Sequence, residues 1–299
     1  MIDVTPDTAA AARPISSDLR VVALGGGTGL PVTLRGLRAA LFSPGSWSPV
    51  RDQSRLTAIA TVADDGGSSG KLRAAYRVPS PGAIRNCLLA LADGDPAMAD
   101  MFSFRIDGEG EVGGHSLGNL ILTALAELEQ DFGKAVERSG RMLSVRGRVL
   151  PSTLDNVVLM AELADGTVIE GESRLAGAKC PIRRMRLQPP DAYALPEACQ
   201  ALETADLIVI GPGSLYSSLV AVLLVQDLAE AIARSKARVV FVLNLMSEPG
   251  ETDRHTGVDH VLALRRHAPR IRIHDVLVNT APIPQEQRDR YAAQGAVPV

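Results

Sequence analysis

The sequence has few aromatic residues and few cysteines, and each shortage restricts the kind of protein it encodes. Five phenylalanines, four tyrosines and one tryptophan make up 3% of the 299 residues, whereas 46% of the residues are hydrophobic. Small aliphatic side chains must therefore form the core. Cys87, Cys180 and Cys199 are odd in number and widely spaced, which is typical of thiols in a reducing compartment and not of a disulfide framework.

The chain also lacks the long apolar runs of membrane proteins and the positive charge of general nucleic-acid binders. The aliphatic run Leu219–Val225 has only seven residues, whereas a membrane span needs about 18. Residues 1–18 are rich in alanine without the apolar core of a signal peptide, which predicts a flexible tail. The net charge is −3, and nucleic-acid affinity comes largely from Lys and Arg meeting phosphates. We expect a cytoplasmic protein with no membrane span and no nucleic-acid partner.

Short apolar strands alternate with amphipathic helices at both ends of the chain. Val21–Leu24, Leu56–Val62 and Leu207–Ile210 are continuous apolar runs of the kind that form buried strands. Strand–helix alternation of this kind predicts an α/β fold in which a mostly parallel, doubly wound sheet has helices on both faces.

The middle of the chain is richer in strands. It contains four short extended segments, the first of which is Val145–Leu150. Asp165-Gly166 lies between two of these segments and is a hairpin signal. We predict a single α/β domain over residues 19–299, with a small strand-rich subdomain inserted at about 140–190.

Turns rich in glycine and hydroxyl groups follow three of the predicted strands. These turns are Gly25–Gly29, Asp64–Gly70 and Gly211–Ser214, and a fourth turn, Gly113–Ser116, directly precedes a helix. Because parallel strands end at the same sheet edge, the three strand-end turns are predicted to meet in one crevice. Glycine permits close approach of the backbone, and a helix N-terminus favours an anion. The sequence therefore predicts an anion site.

Energetics restrict the kind of ligand that such a site would hold. A helix terminus contributes about 0.3–1 kcal/mol, whereas micromolar binding requires about 8 kcal/mol. The ligand must therefore add a ribose, a base or a sugar to its phosphates. A nucleotide or nucleotide-sugar meets that requirement better than free phosphate.

Each feature also has a simpler interpretation. Any one of the turns could be only a tight connection, and the first has Leu30 where a dinucleotide fingerprint needs its third glycine. A dinucleotide-binding oxidoreductase is therefore a minor alternative. Asp64 and Asp65 could bind ribose hydroxyls, hold Mg²⁺ across a diphosphate, or only cap and order the loop. Arg85 is either a phosphate clamp or a surface arginine, and His115 is either an acid–base group or an ordinary loop histidine.

Seven motifs in order resemble those of a known family. They are Gly25–Leu30, Ala63–Arg73, Pro81-Gly82 with Arg85–Leu88, Gly114–Leu120, Leu150-Pro151 with Thr153, Gly211–Ser218 and Asn244–Met246. Together they resemble the YvcK-type gluconeogenesis factors, which are related to the CofD-like 2-phospho-L-lactate transferases. The resemblance implies a Rossmann-like sheet with a smaller inserted region.

The resemblance also implies a function for each branch of the family. The YvcK branch implies a cytoplasmic protein that binds UDP-sugars such as UDP-N-acetylglucosamine and supports cell shape and wall synthesis on gluconeogenic carbon. The transferase branch implies Mg²⁺-dependent transfer of a phospholactyl group from a guanosine diphosphate donor to a deazaflavin. Extended matches at Asp64–Arg73 and Gly250–Asp253 favour the YvcK branch.

One departure from the family concerns the implied nucleotide-sugar site. The family carries Gly-Tyr where this chain has Arg254-His255, so His255 would have to stack in place of the tyrosine. Arg290 matches a C-terminal segment of the implied site and would contact the diphosphate.

We predict a non-catalytic regulator with no obligatory cofactor, in which Mg²⁺ accompanies a diphosphate only if the protein is a transferase. A homo-oligomer is expected, and the sequence does not identify a regulatory partner. Metal ligands, under the transferase alternative, would be Asp64 and Asp65. The candidate ligand-binding residues are Gly25, Gly26, Gly27, Thr28, Gly29, Asp64, Asp65, Gly66, Gly67, Ser68, Arg85, Asn86, His115, Ser116, Asn119, Gly211, Gly213, Ser214, Asn244, His255 and Arg290.

Overall fold

The computed structural model describes residues 18–42, 53–178 and 180–299. Its larger sheet is parallel throughout, and two neighbouring strands, Val21–Gly25 and Leu56–Ala60, are buried at every residue and are apolar apart from Thr57. Burial on both faces explains why these strands carry no polar alternation. The strands of this sheet are β1 (Val21–Gly25), β2 (Leu56–Ala60), β3 (Arg148–Pro151), β7 (Leu207–Ile210), β8 (Arg238–Val242) and β9 (Asp275–Leu277).

The order of the strands locates the ligand crevice. Across the sheet the order is β3-β2-β1-β7-β8-β9, which is the 3-2-1-4-5-6 order of doubly wound dinucleotide-binding folds. The direction of winding reverses between β1 and β7, and ligands of such folds bind beyond the carboxyl ends of the strands at that point. The predicted fold class, a doubly wound and mostly parallel α/β sheet, is confirmed.

Helices flank this sheet and connect its strands. One of them, at Gly67–Tyr76, begins within the segment predicted as the turn Asp64–Gly70, so only the first part of that segment is a turn. The helices are α1 (Gly29–Leu41), α2 (Gly67–Tyr76), α3 (Gly82–Leu91), α4 (Pro96–Ser103), α5 (Leu117–Glu129), α6 (Phe132–Met142), α7 (Pro196–Thr204), α8 (a π-helical turn at Leu215–Val220 continued by Ala221–Leu223), α9 (Gln226–Arg234), α10 (Gly257–His267) and α11 (Gln285–Ala292).

A second sheet of three antiparallel strands follows β3. Its order is β5-β4-β6, formed by β5 (Val168–Glu170), β4 (Val158–Leu163) and β6 (Ile182–Gln188). The hairpin predicted at Asp165-Gly166 connects β4 to β5, and Gly166 has the positive φ of 87° that such a turn requires.

The strand predicted at Val145–Leu150 belongs to a different sheet from the one expected. It is β3, and it pairs in parallel with β2 at the edge of the large sheet. Its burial alternates along the strand as that of β4 does, so the pattern of apolar residues alone could not distinguish the two sheets. The division into one domain with an inserted subdomain stays a prediction, and the predicted tail at 1–18 falls outside the described residues except for residue 18.

The core is built from aliphatic side chains, as the composition requires. Cys87 is fully buried on α3, as expected for a core thiol. No single helix within residues 18–42, 53–178 and 180–299 is long and apolar enough to cross a membrane. Leu215–Leu223 and Gln226–Arg234 reach that length and composition only as a pair, across a bend of 72°.

Two glycines of α1 provide a test of how closely the strand-end turns pack. A β-carbon on Gly29 would lie 2.2 Å from the carbonyl oxygen of Pro212, whereas one on Gly36 would have no neighbour within 4 Å. We expect Gly29→Ala to lower the free energy of unfolding by about 1–3 kcal/mol, because it overpacks the contact between two turns. Gly36→Ala should raise it by about 0.5–1 kcal/mol, because alanine is the better helix former.

Urea unfolding followed by circular dichroism would measure both changes. If Gly29→Ala were as stable as the wild type or more stable, the two turns could not be in close contact at this position.

Candidate functional site

A cavity of about 320 Å³ lies at the carboxyl edge of the large sheet, beyond β1, β2 and β7. Its volume is within the range of small-molecule sites, which is about 300–1,000 Å³. The three strand-end turns meet here, as the parallel topology predicts, although their role in binding stays a prediction. The predicted residues that line the cavity are Gly27, Asp64, Gly66, Gly67, Ser68, Arg85, Asn86, Asn119 and Ser214.

Several predicted glycines lie behind this surface and allow the turns to approach one another. A β-carbon on Gly26 would lie 2.5 Å from the Thr61 methyl carbon and 3.1 Å from the Ser218 hydroxyl oxygen, so the turn after β1 is wedged between the ends of β2 and β7. The predicted residues of these turns that do not line the cavity are Gly25, Gly26, Thr28, Gly29, Gly211 and Gly213.

Arg85 on α3 is held in the cavity wall by amide oxygens. Its guanidinium donates to Asn119 Oδ1 at 3.1 Å and to Asn86 Oδ1 at 2.7 Å. Its Nε is buried and has no hydrogen-bond partner among the described residues. Burial, and next the repulsion from Arg105, lowers the pKa of Arg85 from its ordinary value. Arg85 and Arg105, neither of which pairs with a carboxylate in the described part of the chain, are suited to a phosphate group.

Ser68 lies beside Asn119 at the centre of a buried polar network. Its hydroxyl oxygen lies 3.0 Å from His115 Nδ1 and accepts from Asn119 Nδ2 at 3.1 Å and from the Ser116 backbone N–H at 3.4 Å. Sequence patterns did not connect this serine with His115. The hydroxyl already accepts two hydrogen bonds while facing the imidazole, so the network holds the wall in place more than it exposes a nucleophile.

Two carboxylates form another part of the cavity. Asp64 Oδ1 accepts from the Gly66 backbone N–H at 2.8 Å, and Glu172, from the inserted segment, lines the cavity with it. Glu172 begins the 3-10 turn Glu172–Gly177. Burial, and next the charge of Asp64, raises the pKa of Glu172 to about 7.

Asp65 lies outside the cavity although it is adjacent to Asp64. Its Oδ1 accepts from the Ser173 backbone N–H at 2.8 Å, so it caps the turn that carries Glu172. The two carboxylates therefore have different partners, and the Mg²⁺ role that the transferase alternative gives them stays a prediction. Within residues 18–42, 53–178 and 180–299, no group of three or more His, Cys, Asp or Glu side chains is placed to hold a metal ion.

The N-terminus of α8, predicted as an anion site, already has an anionic partner. Glu251 is buried, and its Oε2 accepts from the backbone N–H groups of Tyr216 at 3.0 Å and Ser217 at 3.2 Å. Burial, and next the charge of Glu248, raises the pKa of Glu251. The turn before α8 offers a ligand its serine side chains more than free backbone donors.

His115 and Ser116 contact Ser68 without lining the cavity, and three further predicted residues lie away from it. Asn244 Oδ1 accepts from the Gly213 backbone N–H at 3.1 Å, and Asn244 Nδ2 donates to the Gly213 carbonyl oxygen at 2.9 Å. These two hydrogen bonds fix the turn after β7. His255 does not line the cavity, and its Nε2 lies 3.5 Å from the Tyr216 hydroxyl oxygen. Arg290 lies on α11, which has no buried residue, with its guanidinium 5.8 Å from the Tyr291 ring.

A second cavity, of about 330 Å³, lies beyond β8 and β9. It includes Asn244, Asn279 and Arg288. The turn Gly211–Ser214 therefore separates the two cavities, with Ser214 facing the first and Asn244 holding the turn from the side of the second.

Sequence reasoning missed several residues of the first cavity. Ser69 and Ser217 belong to motifs already recognised, and their hydroxyls could have been included. Arg105 and Glu172 lie in segments without a local signal, because only tertiary packing brings them to the sheet edge. The residues that line the cavity without having been predicted are Thr61, Ser69, Gly82, Ala83, Arg105, Glu172, Ser217 and Ser218.

Comparison with protein families agrees with this fold. The family model "2-phospho-L-lactate transferase CofD" matches residues 21–299. The chain belongs to the CofD family, a family of Rossmann-like α/β proteins.

Within that family the relatives carry a more specific name. The chain is 44% identical over 280 residues to the gluconeogenesis factor of Bacillus subtilis, covering 94% of this chain and 84% of that protein. It is also 44% identical over 294 residues to a putative gluconeogenesis factor of Nostoc sp., covering 98% of this chain but only 62% of that relative. The resemblance inferred from the motifs is confirmed.

A solved structure supports the same relationship. A UPF0052-family protein of Bacillus halodurans superposes with a TM-score of 0.87 at 42% identity, covering 94% of this chain and 86% of the other.

The buried Glu251 provides a test of the contact at the start of α8. Glu251→Ala leaves two buried backbone N–H groups without an acceptor, so we expect a loss of about 1–3 kcal/mol in the free energy of unfolding. Glu286→Ala, a charge-matched change at an exposed position on α11, should have almost no effect. Denaturant unfolding would measure both, and equal stabilities for the two variants would contradict the capping role.

Glu172 provides a test of the electrostatics of the cavity. Because its folded pKa of about 7 exceeds that of an unfolded Glu, the folded state holds its proton more tightly and is penalised once both states are ionised. The penalty is full above about pH 7, shrinks as the pH falls through that value, and is absent below the unfolded pKa of about 4.3. Glu172→Gln should therefore melt higher than the wild type at pH 8, with the difference vanishing towards pH 4.5.

Scanning calorimetry across this pH range would measure the difference, with Glu170→Gln on exposed β5 as the control. A pH-independent difference would show that the carboxylate is not the source of the penalty.

Proposed function

We propose that this protein binds a nucleotide-sugar, of the type of UDP-N-acetylglucosamine, in the cavity at the carboxyl edge of the large sheet. In this proposal it is a cytoplasmic regulator without turnover, needed for cell shape and wall synthesis during gluconeogenic growth. The names of the relatives and the resemblance of the motifs support that biological role. The observation that carries the proposal is the separation of charge within one cavity.

The charge separation favours a ligand with two chemically different parts. Arg85 and Arg105 form no ion pair with an acidic side chain among the described residues, and they suit phosphates. Asp64 and Glu172 repel each other on the cavity surface near the predicted insertion, where a further negative charge from a ligand would be unfavourable. Carboxylates commonly accept hydrogen bonds from sugar hydroxyls. A diphosphate joined to a neutral sugar satisfies both surfaces.

The arrangement of the nearby serine supports binding over catalysis. An activated nucleophile needs a base beside it and access to the substrate. Ser68 has His115 beside it, but its oxygen also accepts from Asn119 and Ser116 in a buried network. These contacts account for the position of Ser68 in the cavity wall, so no catalytic role is needed to explain it.

The second candidate function is phospholactyl transfer, which is favoured by the name of the matching family model. The cavity carboxylate Asp64 supports it, since carboxylates and donor phosphates commonly share a divalent ion. Asp65 argues against it, because this carboxylate accepts from the Ser173 backbone N–H and does not line the cavity.

Thermal melting with added ligand tests the proposal. UDP-N-acetylglucosamine at about 100 times its dissociation constant should stabilise the fold by about 2.7 kcal/mol, which is a shift of several degrees at about 2–4 °C per kcal/mol. The shift should persist in EDTA, because no step of binding requires a metal. Asp64→Ala should abolish it, whereas Asp191→Ala, a matched change at an exposed residue outside the cavity, should leave it intact.

Two results would contradict the proposal. An unchanged shift in Asp64→Ala would place the ligand elsewhere. A response only to guanosine diphosphate compounds with Mg²⁺, together with product formation on a deazaflavin, would establish the transferase instead.

A further inference from the structure

We infer that Glu172, delivered by the inserted segment, is the residue that distinguishes a sugar-capped diphosphate from an uncapped nucleotide. The inference rests on the proposed function and assigns a specificity-determining role to a side chain outside every motif of the sequence. Three observations carry it: the contacts that fix the segment of Glu172, the lack of a partner for its carboxylate among the described residues, and the negative charges that face it.

The segment that carries Glu172 is fastened to the turn after β2 on both sides of that residue. The Ser173 backbone N–H donates to Asp65 Oδ1 at 2.8 Å. On the other side, a β-carbon on Gly171 would lie 2.2 Å from Asp65 Oδ2, so that glycine is packed directly against the same carboxylate. Asp65 is therefore a positioning residue, because Glu172 cannot shift without breaking the contacts of Asp65 with Gly171 and Ser173.

The carboxylate of Glu172 is not used by the fold itself. Within residues 18–42, 53–178 and 180–299 it forms no hydrogen bond or ion pair, although it is half-buried in the cavity wall. Its Oε2 lies 4.0 Å from the position of a β-carbon on Gly66, which places it close to Asp64. A half-buried carboxylate without a partner destabilises the ligand-free protein, and a hydrogen-bond donor from a ligand would relieve that penalty.

The charges facing this carboxylate define what it accepts. Asp64, Asp65, Glu248 and Glu251 all act on Glu172 with negative charge. The terminal phosphate of a nucleoside diphosphate or triphosphate would be repelled from this end of the cavity. Hydroxyl and amide groups of a sugar are neutral donors, and Asp64 together with Glu172 can accept from two of them.

Affinity for a matched pair of ligands tests the inference. Isothermal titration of the full chain with UDP-N-acetylglucosamine and with UDP, both in EDTA, would give two dissociation constants for each variant. We expect Glu172→Ala to weaken UDP-N-acetylglucosamine binding at least tenfold and to leave UDP binding unchanged or tighter. Glu170→Ala, an exposed glutamate of the same segment, should keep both wild-type values.

A second variant addresses the positioning role. Asp65→Ala keeps Glu172 but removes the acceptor that fixes its segment, so the preference for the sugar nucleotide should fall while UDP binding persists. Melting temperatures of each variant would confirm that it is folded.

The possible failures are distinguishable. Equal weakening of both ligands in Glu172→Ala, or no weakening of either, would overturn the inference and leave the proposed function standing. Absence of binding of both ligands to the wild-type protein would overturn the proposed function and the inference with it.

Discussion

The close approach of backbone at the point where the sheet reverses its direction of winding is the constraint on which the rest of the structure depends. The turn after β1 lies against Thr61 and Ser218 on one side and the Pro212 carbonyl on the other, at distances that leave no room for β-carbons on Gly26 and Gly29. Because side chains are missing there, backbone and short hydroxyl side chains surround the space in front of the turns. In a sheet with the same strand order but larger residues at these positions, the side chains of the turn after β1 would fill the crevice.

Polar groups around the cavity fall into two sets with different consequences for stability. Ser68, Asn244 and Glu251 have their hydrogen bonds satisfied by the fold, so they fix the positions of the turns and helices that form the walls. Arg85 Nε and the carboxylate of Glu172 have no such partner among the described residues. Half-buried charge without a partner lowers the stability of the free protein. That penalty is consistent with a role that is completed only when a ligand is present.

Topology made part of this site predictable and left another part unpredictable. The turns that contain Gly27, Asp64 and Ser214 were expected to meet because parallel strands end at one edge, and this follows from strand order with no knowledge of packing. Asp64 and Asp65 could not be distinguished, since the direction of the Asp65 carboxylate depends on the Ser173 N–H, which is 108 residues away from it in the chain. β3 was assigned to the wrong sheet because its alternating burial resembles that of β4. Glu172 and Arg105 carry no local signal, because their positions depend entirely on how the insertion and the segment before α5 pack.

In the proposed function, the division of the cavity between the sheet edge and the segment that carries Glu172 explains how a common fold acquires a particular ligand. The sheet edge supplies features that any phosphate compound can use: glycine turns, hydroxyls and an arginine held by amides. The inserted segment supplies a single acidic side chain, and Asp65 fastens that segment to the turn that also presents Asp64. A change in the length or sequence of the insertion can therefore alter which group is accepted beyond the phosphates, while the fold and the phosphate contacts stay the same. In a family that combines transferases with gluconeogenesis factors, differences of this kind provide a direct physical route from one ligand to another.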